Sequence, residues 1–161
     1  MTTTILDTKQ FFNTIIFQGP FIIFFINIIS LWNEKIFLYF YLIFYTLNIL
    51  LNEILKIIIK QPRPNGYNNN IEIKNINIYN DEIHKYGMPS LHSQSSFFSL
   101  IFLWLVTKSP ILFLIEFIIC ILVVFQRWKN KKHTINQLLI GAIIGSLFAY
   151  FMYKIKRKFL L

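Results

Sequence analysis

Residues 85–106 read KYGMPSLHSQSSFFSLIFLWLV, a strongly apolar run whose mouth is lined by Ser90, His92, Ser93, Gln94, Ser95 and Ser96. Polar groups entering hydrocarbon are costly unless they are paired or face a polar cavity. The stretch is therefore either a poorly made helix end or the wall of a site. Working outward from it, four further stretches are about long enough to span a bilayer at roughly 20 helical residues each. The five predicted spans are 11–32, 36–59, 91–107, 110–126 and 135–153. The third and fourth are short and call for tilt or local thinning. The expected fold is an all-α integral membrane protein of about five transmembrane helices, with residues 1–161 forming one membrane-embedded domain.

Composition agrees with that reading. Of 161 residues 55% are hydrophobic, 18 are Phe, and the formal net charge is +9. The first span is too long for a usual signal core and no small-x-small cleavage site follows it, so it is expected to be retained. Gln18-Gly19-Pro20 predicts a kink there. The single cysteine, Cys120, falls inside the fourth span and excludes a disulfide framework or a cysteine-based zinc site. No soluble basic domain exists to bind nucleic acid. The charge sits at helix ends, placed to meet anionic headgroups of membrane lipids or an anionic substrate. The loop 60–88 carries an Asn-rich insertion, expected to be weakly ordered, and His84 within it is read as solvated. GAIIG at 141–145 places two glycines one turn apart, as close helix packing requires.

Alternating helix directions put four ends on one membrane face: the end of the second span, the start of the third, the end of the fourth and the start of the fifth. Three polar clusters gather there. Lys56 and Arg63 form the first, with Pro62 and Pro64 unwinding the chain and turning Arg63 back toward the mouth. Arg offers a planar fork suited to phosphate oxygens and Lys a point charge, although cations at helix ends also snorkel to headgroups. Ser90 and His92 form the second, at a helix N-terminus that favours an anion. Ser90 suits an N-cap, and His92 is either structural or a ready proton donor. Arg127, His133 and Gln137 form the third. A Gln137 carbonyl can accept the His133 N–H, fix its tautomer and leave the other nitrogen as a nucleophile; the alternative is a helix-start amide cap.

These clusters, K-x6-RP, PSxH and R-x5-H-x3-Q, resemble the three signature motifs of the type 2 phosphatidic acid phosphatase superfamily, over about residues 50 to 140. LNEILKIIIKQPRP and YGMPSLHSQ are similar to its dolichyl diphosphatase branch. Gln126 stands where a serine usually precedes the arginine, and Gln137 replaces the usual aspartate, as is typical of that branch. The resemblance implies a metal- and cofactor-independent enzyme. His133 would attack the terminal phosphorus to form a phosphohistidine, and His92 would protonate the leaving lipid phosphate. Lys56, Arg63, Ser90 and Arg127 would hold the phosphates, with Gln137 orienting His133.

The implied substrate is a polyprenyl lipid diphosphate and the implied role is recycling of the carrier for N-glycosylation. The motifs read the phosphate end, so another lipid phosphate, or a catalytically inactive lipid-phosphate binder, remains an alternative. Asp81, Glu82 and the isolated Glu53 form no magnesium cage on the active face. Glu53 is expected to pair with Lys56 or Lys60, whereas Glu116, mid-span, has no evident partner. The positive-inside rule applied directly would put the active face in the cytosol. The resemblance implies the endoplasmic reticulum membrane with the site facing the lumen. No protein partner is identifiable from the sequence.

Overall fold

The computed structural model describes residues 16–65 and 85–159, the side chains of 156–159 excepted. The residues 11–15 of the first expected span, His84 and most of the Asn-rich insertion lie outside the described residues. Among the described residues every regular element is a helix: α1 Gly19–Ser30, α2 Lys35–Ile59, α3 Leu91–Thr107, α4 Pro110–Lys129 and α5 Ile135–Phe159. α2, α4 and the Ile135–Ile155 part of α5 are long and apolar enough to cross a membrane, while α1 and α3 are shorter apolar helices. The protein is thus a multi-pass membrane protein, and α3 has the bounds expected for the third span.

The expected kink near Gln18 is a break. Gln18 forms a turn, Pro20 lies in the first turn of α1, and Phe21 and Ile22 both donate to the Gln18 carbonyl. Proline suits that position because its missing N–H would have no helical acceptor there. α2 ends with Lys60 in the left-handed region at φ 50, its N–H closing back on Lys56 O. The chain therefore leaves the helix before Pro62 is reached.

The arrangement answers the question posed by the Ser-rich mouth of α3. α3 packs against α1, α2, α4 and most extensively α5. Ser93, Gln94, Ser95, Ser96 and Ser99 are all buried in protein, while α2, α4 and α5 turn Ile43, Leu47, Ile54, Leu114, Ile118, Ile121, Leu139 and Ile143 outward. The helix with the polar mouth lies at the centre, and the apolar faces of the others point outward.

The buried polar groups of α3 are mostly paired. Gln94 Nε2 donates to Asn48 O and Asn48 Oδ1, both at 2.9 Å, and Gln94 Oε1 accepts from Asn52 Nδ2 at 2.8 Å. Ser93 donates to Leu138 O at 2.7 Å, and the Tyr41 and Ser99 hydroxyls share a bond of 2.8 Å. Below them Phe98 stacks on Tyr41 and Phe102 packs against it at a tilt, in a core with Leu31, Phe44 and Leu103.

Close approach of α5 to α3 depends on two glycines. A Cβ at Gly141 would meet Ser90 O at 2.7 Å, and one at Gly145 would collide with the Gln94 carbonyl. Backbone cannot yield as a side chain tip can. Gly145→Ala is therefore expected to push the helices apart and remove about 1–3 kcal/mol of stability. A fall in the unfolding midpoint in detergent is the check, and an unchanged midpoint would mean that the contact is not tight.

Candidate active site

The four helix ends converge as the alternating topology requires. Lys56 is buried in the last turn of α2, and Arg63 follows on the loop beyond Lys60. Ser90 and His92 open α3, Arg127 is buried in the last turn of α4, and His133 is buried just before α5. The charges of Lys56, Arg63 and Arg127 all act on both His92 and His133, and those of Arg63 and Arg127 act on Lys56. Three cations held together, with Lys56 and Arg127 buried and Arg63 half-buried, repel one another, so the arrangement is stabilised when an anion enters.

His133 has a defined tautomer. Its Nδ1 lies 2.8 Å from Gly87 O. A carbonyl can only accept, so Nδ1 carries the proton and Nε2 the lone pair. Nε2 faces Arg63, whose Nη1 lies 3.4 Å away and also donates to Lys132 O at 3.2 Å. Burial first, and then the charges of Arg63 and Arg127, push the His133 pKa down to about 2, with the Gly87 bond opposing and Lys56 adding a little. The imidazole is therefore neutral at physiological pH, the form in which it can donate an electron pair.

Gln137 is not the partner of His133. Its Oε1 accepts from Thr134 N–H at 3.1 Å, and its N–H donates to the Thr134 hydroxyl at 3.3 Å, which is a reciprocal capping box. Its Nε2 donates to Pro62 O at 2.9 Å and Gln61 Oε1 at 3.1 Å. The expectation that Gln137 orients the imidazole is corrected: the amide is spent on the helix start and on the Arg63 loop, and a backbone carbonyl holds the ring. The amide-cap alternative describes it better.

Ser90 occupies the N-cap position, but its hydroxyl makes no capping bond and is buried without a partner. The Ser90 N–H instead donates to Gln137 O at 3.1 Å. Glu53, expected to pair with Lys56 or Lys60, acts on Lys56 by its charge. Glu116 does have a partner: Asn27 Nδ2 donates to its Oε1 at 2.7 Å, joining α1 to α4 inside the bundle.

Three contributors were missed in the sequence. Phe17 meets His92 at a tilt of 48° with ring centroids 5.3 Å apart, and its ring lies 5.4 Å under the Arg127 guanidinium. Gly87 supplies the carbonyl that sets His133. Asn52, whose Nδ2 also donates to Pro89 O at 3.2 Å, ties α2 to the turn before Ser90. Only the last left a signal: Asn48, Asn52 and Lys56 recur every four residues along one helical face. A cavity of about 370 Å³ beside His133 is lined by Pro64, Trp128, Lys131, Thr134, Ile135 and Asn136. Among the described residues no three His, Cys, Asp or Glu side chains gather as metal ligands would.

A dolichyldiphosphatase of Saccharomyces cerevisiae is 32% identical over 119 residues, covering 65% of this chain and 47% of that protein. The chloroplastic lipid phosphate phosphatase epsilon 1 of Arabidopsis thaliana is 40% identical over 75 residues, 42% of this chain and 27% of the relative. The match thus spans less than half the length of either. In fold, the chain is similar to the crystal structure of a transmembrane PAP2 type phosphatidylglycerolphosphate phosphatase from Bacillus subtilis. The TM-score is 0.68 at 17% identity, over 92% of this chain and 78% of that one. Residues 37–160, which carry every cation and histidine of the convergent site, match the PAP2 superfamily, and the chain belongs to that superfamily.

Proposed function

We propose that the protein is a lipid phosphatase that hydrolyses dolichyl diphosphate to dolichyl phosphate and inorganic phosphate. The observation that carries this reading is the His133 imidazole, held by Gly87 with Nε2 unprotonated beside Arg63 and within reach of the charges of Arg127 and Lys56. The Nε2 electron pair attacks the terminal phosphorus, and the bond from that phosphorus to the bridging oxygen breaks. The bridging oxygen leaves with the lipid phosphate and takes a proton from His92, which carries it once the diphosphate has entered and offset the three cations around it. Water then attacks the phosphohistidine, giving its proton back to His92, and inorganic phosphate departs while Nε2 regains its pair. Lys56, Arg63 and Arg127 balance the charge of the diphosphate and of the transferring group, where a metal ion would act in other phosphoryl transfers. The buried Ser90 hydroxyl and the N-terminus of α3 add donors for phosphate oxygens.

The whole chain acts as one membrane-embedded domain in this reading. Similarity to the yeast dolichyldiphosphatase supports the dolichyl substrate, and with it carrier recycling for N-glycosylation in the endoplasmic reticulum membrane with the site toward the lumen. Similarity to a chloroplastic lipid phosphate phosphatase favours a second reading, in which other lipid phosphates are accepted by the same cations.

One assay tests these points together. Purified protein is given dolichyl diphosphate, undecaprenyl diphosphate or phosphatidate, each with EDTA or with added Mg²⁺. Dolichyl diphosphate is expected to release phosphate fastest, at a rate unchanged by EDTA, and in sealed microsomes release should stay latent until detergent opens them. A strict Mg²⁺ requirement would sink the three-cation mechanism, and preference for phosphatidate would move the assignment to the second reading.

A further inference from the structure

We infer that Gln137 is a positioning residue, which braces the Arg63 loop and the Gly87 turn against α5, and that it has to be neutral to do so. The inference rests on the phosphatase reading above for its kinetic consequences, but the brace itself is geometric. The Gln137 side chain is fully buried. An amide has two N–H donors and one carbonyl acceptor. Both donors are committed, to Pro62 O and to Gln61 Oε1, and the acceptor takes the Thr134 N–H. The Pro62 carbonyl belongs to the peptide unit that leads directly into Arg63, so this bond sets where the guanidinium starts. Arg63 then spans to Lys132 O and His133 Nε2.

The same amide lies flat on Gly87. A Cβ at Gly87 would sit 2.5 Å from Gln137 Oε1 and 2.8 Å from Nε2, so only glycine leaves room for it. Gly87 is also held by its own N–H, which donates to Gln61 O at 2.8 Å, and its carbonyl accepts a hydrogen bond from His133 Nδ1–H. The Gln137 main chain completes the set by accepting from the Ser90 N–H. One residue thus touches the Arg63 loop, the turn before α3, the N-cap of α3 and the start of α5.

A carboxylate could not replace it. Glutamate has the same shape, yet in place of Nε2 it would turn one acceptor oxygen toward both Pro62 O and Gln61 Oε1, where two donors are needed. Aspartate is also a methylene too short to reach Pro62 while capping Thr134. The position therefore works in the opposite sense from an acidic partner of a histidine, since charge there damages the site.

The test separates bracing from tautomer control. Full-length protein in detergent is measured in two ways: affinity for inorganic phosphate by thermal shift, and kcat and KM for dolichyl diphosphate across pH. Gln137→Ala should weaken phosphate binding and raise KM by about ten- to a hundred-fold, as expected for a displaced Arg63. The pH profile should keep its shape, because Gly87 still holds His133. Gln137→Glu should be worse than Gln137→Ala in both measurements. Gly87→Ala, which evicts the amide, should lower kcat as well as affinity.

Should Gln137→Ala fail to fold, Gln61→Ala at the exposed end of the brace should give a smaller loss of affinity in the same direction. Unchanged phosphate affinity with a reduced kcat and a shifted pH limb would overturn the inference and restore Gln137 to His133. Gln137→Glu at wild-type activity would overturn it equally. Because affinity is read without turnover, a wild-type protein that binds phosphate but releases none would count against the activity and not against the brace.

Discussion

His133→Ala should bring phosphate release to background, a loss of about 10⁴-fold or more, because removal of a nucleophile leaves only the charge stabilisation around it. No acid-labile phosphoenzyme should form on the variant, whereas brief exposure of the wild type to labelled substrate should trap one. His92→Ala differs in kind, since the phosphoenzyme can still form from a substrate whose leaving group needs no proton. The pH dependence adds a second check. A nucleophile whose pKa is lowered by burial, and then by Arg63 and Arg127, is neutral at every pH above that value and is lost only as pH falls through it. The kcat/KM profile should therefore show no acid limb from the nucleophile near 6.5, where an ordinary histidine titrates. Labelled phosphate trapped on His133→Ala protein would remove the residue from its role.

Arg127→Ala should be the next most damaging change, lowering kcat by about 10²–10³-fold, the loss seen when one donor to developing charge is removed. Arg127 is 2% exposed, so its charge is little screened by solvent. Its guanidinium also rests on the Phe17 ring, whose other neighbour is His92. Arg127→Lys should recover only part of the loss, because an ammonium has neither the planar fork nor the stacking surface. Phe17→Ala separates the two effects: it leaves the charge and removes the support, and it should cost less than Arg127→Ala. Measured kcat and KM for the three variants decide the matter. A kcat for Arg127→Ala within twofold of wild type would mean that Arg127 serves only to close the bundle.

The helices were largely legible in the sequence because lipid imposes a long, nearly uninterrupted apolar run on each peripheral one. α3 was found as 91–107 from the apolar run FFSLIFLWLV behind its polar mouth. α4 and α5 run on to Lys129 and Phe159, beyond the apolar stretches, because Arg, Lys and Tyr or Phe continue a helix once it is formed. The gathering of Lys56, Arg63, His92, Arg127 and His133 followed from counting helix directions.

What was not legible depends on register between elements far apart in sequence. Gln137 and His133 are four residues apart, and helical spacing alone makes them neighbours. However, His133 precedes the first turn of α5, where that spacing does not apply, and Pro62 and Gln61 lie nearer to the amide. Gly87 has no side chain to announce a role, and its contribution is a backbone carbonyl. Phe17 is one of 18 phenylalanines, and nothing local marks the one that faces the site. Glu116 looked anomalous alone, and only the packing of α1 on α4 supplies Asn27 as its partner.

The burial of α3 on all sides bears on how the protein is made. A nascent helix leaves the translocation channel for lipid before its later partners have been synthesised, and α3 brings Ser93, Gln94, Ser95, Ser96 and Ser99 with it. α2 precedes it, so Gln94 can pair with Asn48 and Asn52 at once. Ser93 and the Ser90 N–H have their acceptors at Leu138 and Gln137, on α5, which emerges later than α3. Until then the central helix is only half satisfied, and its polar half is held at the channel or against α2. Arrival of α5 inserts its glycines beside α3 and delivers His133 to Gly87 in the same event. In the proposed mechanism assembly and activation thus coincide, because Gly87 sets the His133 imidazole only once the bundle around it has closed.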